Sequence, residues 1–133
     1  MFYDILDQQR LDILPFLRPL KERFYLAGGT GLALQLGHRD SADFDFFIQD
    51  HFDTFKLYSE LLEIFNGKKL TKTFEQKDSL NITIDDEIKL SILRYPYKLL
   101  NHCIDEKYLQ IASIEDIACM KNARFRSESE GTK

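Results

Sequence analysis

The chain has 133 residues, of which 44% are hydrophobic and 30% are charged. This size and balance predict one globular core, and eleven Phe, six Tyr and only three Pro argue against disorder or low complexity. A net charge of −4 excludes binding to nucleic acid through overall charge alone. The sequence contains no apolar run long enough to span a membrane and does not begin like a signal peptide, so we expect a cytoplasmic protein with no membrane partner.

The first half of the chain alternates helix patterns with strand patterns. Apolar residues at helical spacing, together with the breaker Pro15, indicate one broken helix or two short ones at the start. A later segment alternates acids with aromatic residues, which is typical of a strand with one buried face. The predicted elements are a helical region from Leu6 to Leu20, a strand from Phe24 to Ala27, a short helix that ends near Gly37, and a strand from Ala42 to Ile48.

The second half predicts a helix, three antiparallel strands, and a last strand and helix. A helix that covers the sheet is indicated by apolar residues at helical spacing, namely Phe55, Tyr58, Leu62 and Phe65. Pro96 can begin another short helix, and Ser113 is a suitable N-cap for the last one. The predicted strands run from Leu70 to Phe74, Leu80 to Ile84, Ile88 to Leu93 and Tyr108 to Ala112. Because repeats and linkers are absent from the sequence, residues 1–133 are expected to form a single domain.

Two acids, Asp43 and Asp45, occupy alternate positions of the predicted strand. Their side chains should share a face, roughly 7 Å apart, while Phe44 and Phe46 enter the core on the other face. Clustered carboxylates bind Mg²⁺, and two metal ions about 3.5–4 Å apart serve nucleotidyl transfer. An isolated Asp-x-Asp pair on a strand is more often a solvated edge. Asp43 and Asp45 are therefore candidate catalytic residues and metal ligands whose meaning depends on their surroundings.

Two glycines, Gly28 and Gly29, end the first predicted strand and precede the short helix. They leave room for a phosphate, and the helix offers free N–H groups and a positive dipole end to an anion. Thr30 can cap the helix or contact phosphate, although a Gly-Gly turn alone is usually only a turn. Arg39 could clamp a phosphate with its planar guanidinium or simply pair with Asp40. The candidate phosphate-binding residues of the following loop are His38, Arg39 and Ser41.

Local basic stretches and two cysteines are most simply structural. The stretches suit solvated faces, although a local groove for an acceptor molecule stays open. Their members are Lys68, Lys69, Lys72 and Lys77 in one, and Lys121, Arg124 and Arg126 in the other. Cys103 and Cys119 lack the close spacing of a zinc or redox motif, so we expect small core residues.

The ordered combination of Gly-Gly-Thr, His-Arg and Asp-Phe-Asp favours a functional site over separate structural roles. The segment FYLAGGTGLALQLGHRDSADFDFF closely resembles the signature of the AbiEii-type nucleotidyltransferase toxins, within the polymerase-β-like nucleotidyltransferase superfamily. The later stretches IKLSILRYPY and ASIEDIACMKNARFRSESEGTK resemble the following strand and helix of that family. The resemblance therefore covers most of the chain, at decreasing strength.

The resemblance implies an α+β fold with a mixed sheet and flanking helices. It also implies a nucleoside triphosphate held at the Gly-Gly turn, Mg²⁺ on Asp43 and Asp45, and transfer of a nucleotide to an acceptor such as tRNA. Lys121 resembles a family lysine near the site, although an exposed helix lysine is an equally good interpretation. Toxins of this kind act beside a cognate antitoxin protein, which is the implied protein partner.

The sequence departs from the family pattern in two places. A third carboxylate is common on a later strand, and the matching position here is Ser91, which cannot act as an anionic ligand or base. Three alternatives stay open: two acids are enough, an acid of the nearby turn approaches, or transfer is impaired while binding survives. The turn acids are Asp85, Asp86 and Glu87. Family members also continue into further helices, so a natural short form, a truncated product and a fragment all stay open.

Three functions follow from these patterns. The first is an Mg²⁺-dependent nucleotidyltransferase toxin that uses Asp43, Asp45 and Lys121. The second is a catalytically weak nucleotide-binding module that acts through a protein partner, which Ser91 favours. The third is an inactive fragment whose exposed face associates with another subunit.

Overall fold

A computed structural model describes residues 1–38 and 43–131, with the side chains of the last helix described to residue 122. In this part of the chain the helices are α1 (Gln8–Leu17), α2 (Gly28–Leu36), α3 (Thr54–Ile64) and α4 (Ile114–Gly131). The strands are β1 (Tyr25–Ala27), β2 (Phe44–Ile48), β3 (Leu70–Gln76), β4 (Ser79–Ile84), β5 (Ile88–Arg94), β6 (Ile104–Asp105) and β7 (Gln110–Ile111). Short 3₁₀ turns cover Tyr3–Ile5 and Arg18–Leu20.

The strands form one mixed sheet in the order β3-β4-β5-β2-β1-β7-β6. The predicted run of three antiparallel strands is confirmed as β3, β4 and β5. Strand β2 lies parallel to β5 and antiparallel to β1, and β7 lies parallel to β1. The expected α+β fold with a mixed sheet and flanking helices is therefore confirmed. Strand β6 was not predicted, because two residues are too short to show a periodic pattern.

The main core lies between one face of the sheet and helices α1 and α3. Phe44 and Phe46 are 0% and 2% exposed, as predicted, and pack in this core with Leu26 of β1. A smaller apolar cluster on the opposite face joins Phe47 to Met120 of α4. Burial of each large apolar side chain stabilises the fold by about 1.5–3 kcal/mol. Strand β2 therefore packs against an apolar cluster on each face, and this packing fixes the position of its acids in the sheet.

The start of the chain corrects the predicted break at Pro15. Helix α1 begins after Asp7, whose carboxylate accepts a hydrogen bond from the Arg10 N–H at 3.0 Å, and it includes Pro15. The α-helix ends at Leu17, and a 3₁₀ turn that contains Pro19 follows. The boundary thus falls two residues beyond Pro15. Buried Ile13, Leu14 and Leu17 explain this, because their packing offsets the loss of one helical hydrogen bond.

Helix α3 exists as predicted, but of its predicted apolar residues only Tyr58 and Phe65 pack against the core. Leu57 and Leu61 are the buried residues of this helix, whereas Phe55 and Leu62 are 72% and 47% exposed. Leu57 and Leu61 are four residues apart and therefore share a face that packs on the sheet. The predicted spacing passed over Leu57 and Leu61, because periodicity alone does not determine which apolar residues meet the core.

The segment after β5 corrects the prediction of a helix at Pro96. Residues 95–103 contain no helix and form a loop instead. The buried carboxylate of Asp116 accepts hydrogen bonds from the backbone N–H groups of Leu100 and Asn101, at 2.7 and 3.0 Å. These contacts satisfy the loop backbone without a helix.

The first basic stretch consists mainly of paired side chains on the β3–β4 hairpin and its base. Lys69 contacts Asp86 at 2.9 Å, and Lys72 contacts Glu75 at 2.8 Å. The interpretation of this stretch as a solvated face is therefore favoured over a groove for an acceptor. Both cysteines are free; Cys103 is half-buried, but Cys119 is exposed, so its prediction as a core residue was wrong.

Candidate functional site

The acid pair lies at the N-terminal end of β2, in the middle of the sheet. Asp45 pairs with Ala27, the last residue of β1, and Asp43 immediately precedes β2. Both acids are half-buried, whereas Phe44 between them is fully buried. Alternate residues of a strand point to the same face, so the two carboxylates share the face opposite the main core.

The N-terminus of α2 lies directly against Asp45. The helix begins at Gly28 itself, so the two glycines form its first turn rather than a separate turn before it. Gly28 has a φ of +64°, and a β-carbon at this position would lie 3.1 Å from Asp45 Cγ and closer still to the Oδ2 atom. Because the first N–H groups of a helix lack partners within it, this contact brings hydrogen-bond donors beside a carboxylate.

Thr30 holds the acid pair in place from inside the protein. Its side chain is fully buried, and its hydroxyl donates to the backbone oxygen of Asp43. The side chain therefore does not cap α2, which corrects that predicted role, while contact of Thr30 with a phosphate stays a prediction. Instead, Thr30 joins the first turn of α2 to the residue where the acidic strand begins.

The predicted phosphate loop is only partly described. Helix α2 ends as predicted at Gly37, which has a φ of +80° and donates its N–H to the Ala33 oxygen at 2.7 Å. His38 follows and is half-buried. The two other candidates of this loop, Arg39 and Ser41, lie outside the described residues.

Ser91 occupies the position directly beside Asp45 in the neighbouring strand β5. No third acid comes from the turn that precedes β5. Asp85 instead accepts the backbone N–H of Lys69 at 2.9 Å, and Asp86 accepts the side chain of Lys69. Among the described side chains, no group of three or more His, Cys, Asp or Glu could hold a metal ion.

The donor set at the acids nevertheless fits a hard divalent cation. Mg²⁺ is usually bound by one or two carboxylates together with substrate phosphates, rather than by an all-protein cage. Asp43 and Asp45 supply two carboxylates, and the lack of a side chain at Gly28 lets the Asp45 carboxylate lie against the start of α2. The residues present are therefore compatible with a cation that a bound nucleotide would help to hold.

Lys121 lies on the exposed side of α4, one residue after the buried Met120. Helix α4 packs on α2 and on the sheet face that carries Asp45 and Phe47. Ser113 caps the N-terminus of α4, as predicted, and the sequence analysis missed only the part that Asp116 plays in this cap. Ser113 Oγ accepts the Asp116 N–H at 3.1 Å and donates to the Asp116 carboxylate at 3.0 Å. The Ser-x-x-Asp spacing of a capping box is the signal that could have revealed it.

A groove of about 900 Å³ lies at the other end of the sheet. Arg23, Gln49 and Asp50 line one side of it, and the loop from Tyr97 to Cys103 lines the other. None of the predicted site residues that the structure describes borders this groove. The chemically distinctive residues lie at the opposite end of β1 and β2.

The mixed sheet and its flanking helices form a nucleotidyltransferase-like fold, and comparison with solved structures agrees. JHP933 from Helicobacter pylori matches 87% of this chain and 57% of its own, with a TM-score of 0.62 and 19% identity. A tRNA-processing enzyme in its apo form matches 86% of this chain and 35% of its own, with a TM-score of 0.52 and 15% identity.

The chain belongs to the family described as nucleotidyl transferase AbiEii toxin of type IV toxin–antitoxin systems, whose model matches residues 16–121. The uncharacterized protein aq_aa25 of Aquifex aeolicus (strain VF5) is 41% identical over 102 residues, which are 74% of this chain and 48% of that protein. The resemblance seen in the sequence is thus confirmed. The chain spans about half the length of this relative and of JHP933. In the described part of the chain, no helix is both long and apolar enough to cross a bilayer.

Proposed function

We propose that this chain is the nucleotide-transferring part of a type IV toxin. It moves a nucleotide from a nucleoside triphosphate to the hydroxyl of an acceptor such as tRNA, with Mg²⁺, and acts in the cytoplasm beside a cognate antitoxin. Family membership supports the reaction class. The observation that carries the proposal is the contact between Gly28 and Asp45, which places the N-terminus of α2 against the acid pair.

The residues of this site bind and orient the reacting groups. The N–H groups of Gly28 and Gly29 face the phosphates, which the positive end of α2 favours. Asp43 and Asp45 hold the Mg²⁺, which neutralises phosphate charge and orients the hydroxyl when it is bound. Lys121 offsets triphosphate charge from α4. His38, Arg39 and Ser41 are the further candidates for phosphate contact.

The transfer forms one bond and breaks one. The acceptor hydroxyl oxygen bonds to the α-phosphorus, the bond from that phosphorus to the bridging oxygen breaks, and pyrophosphate leaves. The hydroxyl proton passes to solvent, because Ser91 at the position beside Asp45 is not a base at neutral pH. Binding and orientation of the reacting groups are thus what these residues contribute to the transfer.

The first test is incubation of the purified chain with Mg²⁺, each labelled nucleoside triphosphate and total cellular RNA. We expect label on RNA that is lost in Asp43→Asn and Asp45→Asn. Asp50→Asn is the matched control, because Asp50 is an exposed acid just beyond the other end of β2. Equal labelling by the wild type and both site variants would show that these acids do not support the transfer.

A second function is favoured by one specific observation. Ser91 stands directly beside Asp45, and the described residues bring no third acid to the pair. We infer that, if transfer fails, the chain is a nucleotide-binding module that acts through a protein partner. Calorimetry would then show triphosphate binding by a chain that labels no acceptor. Labelling of RNA at many turnovers would rule out this second function.

A further inference from the structure

The row of side chains that crosses the sheet from Asp45 contains a single acid. Asp45 pairs with Ser91 of β5, and Ser91 pairs with Asn81 of β4. Residues that pair directly across strands project from the same face, so these three side chains form a continuous row. At neutral pH only Asp45 is charged, because neither a serine hydroxyl nor an asparagine amide ionises.

The opposite flank of Asp45 offers no anionic side chain either. There Asp45 pairs with Ala27, and Gly28 fills the space against the carboxylate with backbone alone. A larger residue at position 28 would overlap the Asp45 side chain. Among the residues that the structure describes, Asp43 is therefore the acid placed to share a cation with Asp45, since the two occupy alternate positions along the chain.

Asn81 reinforces the neutral character of the row. Its side-chain oxygen is buried and has no hydrogen-bond partner within the described part of the chain. A serine hydroxyl at the neighbouring position can donate to an oxygen of this kind or accept from the NH₂ group of the same amide. The surroundings of position 91 thus match the residue that is found there.

This arrangement bears on the number of cations. A two-metal site needs ligands for two ions about 3.5–4 Å apart, whereas one ion needs only one or two carboxylates and the phosphates of the substrate. We propose that Asp43 and Asp45 hold one divalent cation rather than a pair, and that residue 91 decides this number. The inference rests on the proposed function, because it takes the acid pair to be the cation site.

The test counts bound Mn²⁺ by electron paramagnetic resonance, with and without a non-hydrolysable ATP analogue. The wild-type chain should bind one Mn²⁺ and give the spectrum of an isolated ion, as should Ser91→Ala. Ser91→Asp should bind two and give the spin-coupled spectrum of neighbouring ions. Thr83→Asp is the matched control, because Thr83 is half-buried on the same face of β4, two residues from Asn81, and should leave one ion.

The outcomes show whether the single-cation inference fails alone or together with the proposed function. A spin-coupled pair in the wild type would overturn the single-cation proposal and leave the transferase proposal intact. A Ser91→Asp chain that is folded but still binds one ion would show that residue 91 does not decide the number. A wild type that binds no more Mn²⁺ than Asp45→Asn would overturn both proposals. Because the wild-type count decides the main point, the test survives misfolding of a variant.

Discussion

The side chain of Asp45 fills the space where a side chain on Gly28 would lie, at the junction of β1, α2 and β2. A β-carbon on Gly28 would lie 3.1 Å from both Cβ and Cγ of Asp45, and the backbone of Gly28 is left-handed, with a φ of +64°. Both features require glycine: a larger residue would overlap Asp45, and most other residues rarely adopt a left-handed backbone. The first turn of the helix and the acid therefore depend on each other.

We expect Gly28→Ala to impair the site more than its conformational strain explains. An alanine in the left-handed region costs about 1–2 kcal/mol, and overpacking against Asp45 adds about 1–3 kcal/mol. Gly67→Ala is the matched control, because Gly67 has a φ of +94° with nothing within 4 Å of its β-carbon position. Urea denaturation should show the larger loss for Gly28→Ala, and Mn²⁺ binding should fall only in that variant. Equal losses of stability in the two variants would show that the contact with Asp45 does not add to the strain at Gly28.

Thr30→Val should weaken the fold and displace the acid pair. The change keeps the shape of the side chain but removes the hydroxyl that donates to the Asp43 oxygen. Loss of a buried hydrogen bond costs about 1–3 kcal/mol. Thr30→Ser retains the donor and should keep Mn²⁺ affinity close to that of the wild type. The idea fails if valine and serine have the same effect on cation affinity.

Asp116→Ala should free the loop after β5 and loosen the start of α4. The substitution removes an acceptor shared by the N–H groups of Leu100 and Asn101 and by Ser113 Oγ. Hydrogen bonds to a charged group contribute about 1.5–3 kcal/mol each, so we expect a loss of at least that size. Hydrogen exchange should quicken at the amides of residues 100 and 101.

Glu115, the acid next to Asp116, supplies the control for the hydrogen bonds that Asp116 accepts. Glu115 is exposed in the first turn of the same helix. Glu115→Ala should change the free energy of unfolding by less than about 0.5 kcal/mol, as is usual for surface substitutions. Comparable losses of stability in both variants would mean that negative charge at the helix end, rather than the hydrogen bonds to Asp116, stabilises this region.

The two cysteines should react with thiol reagents at different rates. Desolvation, with a smaller contribution from Asp116, raises the pKa of Cys103, whereas Cys119 is exposed. A raised pKa lowers the thiolate fraction at a given pH, and the thiolate is the reactive form. Mass spectrometry after brief alkylation near pH 8 should find Cys119 modified first, and raising the pH should speed Cys103. Faster labelling of Cys103 would contradict its burial.

The local patterns of the sequence were sufficient for most elements and for the acid pair. The alternation around Asp43 and Asp45 predicted a strand with one buried and one open face, because side chains alternate along any strand. The three-stranded hairpin region and the helix end at Gly37 followed from equally local patterns. The family signature between residues 24 and 47 gave the reaction class, which the family match supports.

Other features depended on contacts between distant segments, which a single sequence does not display. The parallel pairing of β2 with β5 set Ser91 beside Asp45, and a shift by one residue would have placed a different face there. Packing against the sheet selected Leu57 and Leu61 over Phe55, and it buried Thr30 against Asp43. Residue periodicity thus determined which elements form and which side chains share a face. The neighbours of each side chain were decided by the tertiary structure, because strand register and core packing are settled by the whole chain at once.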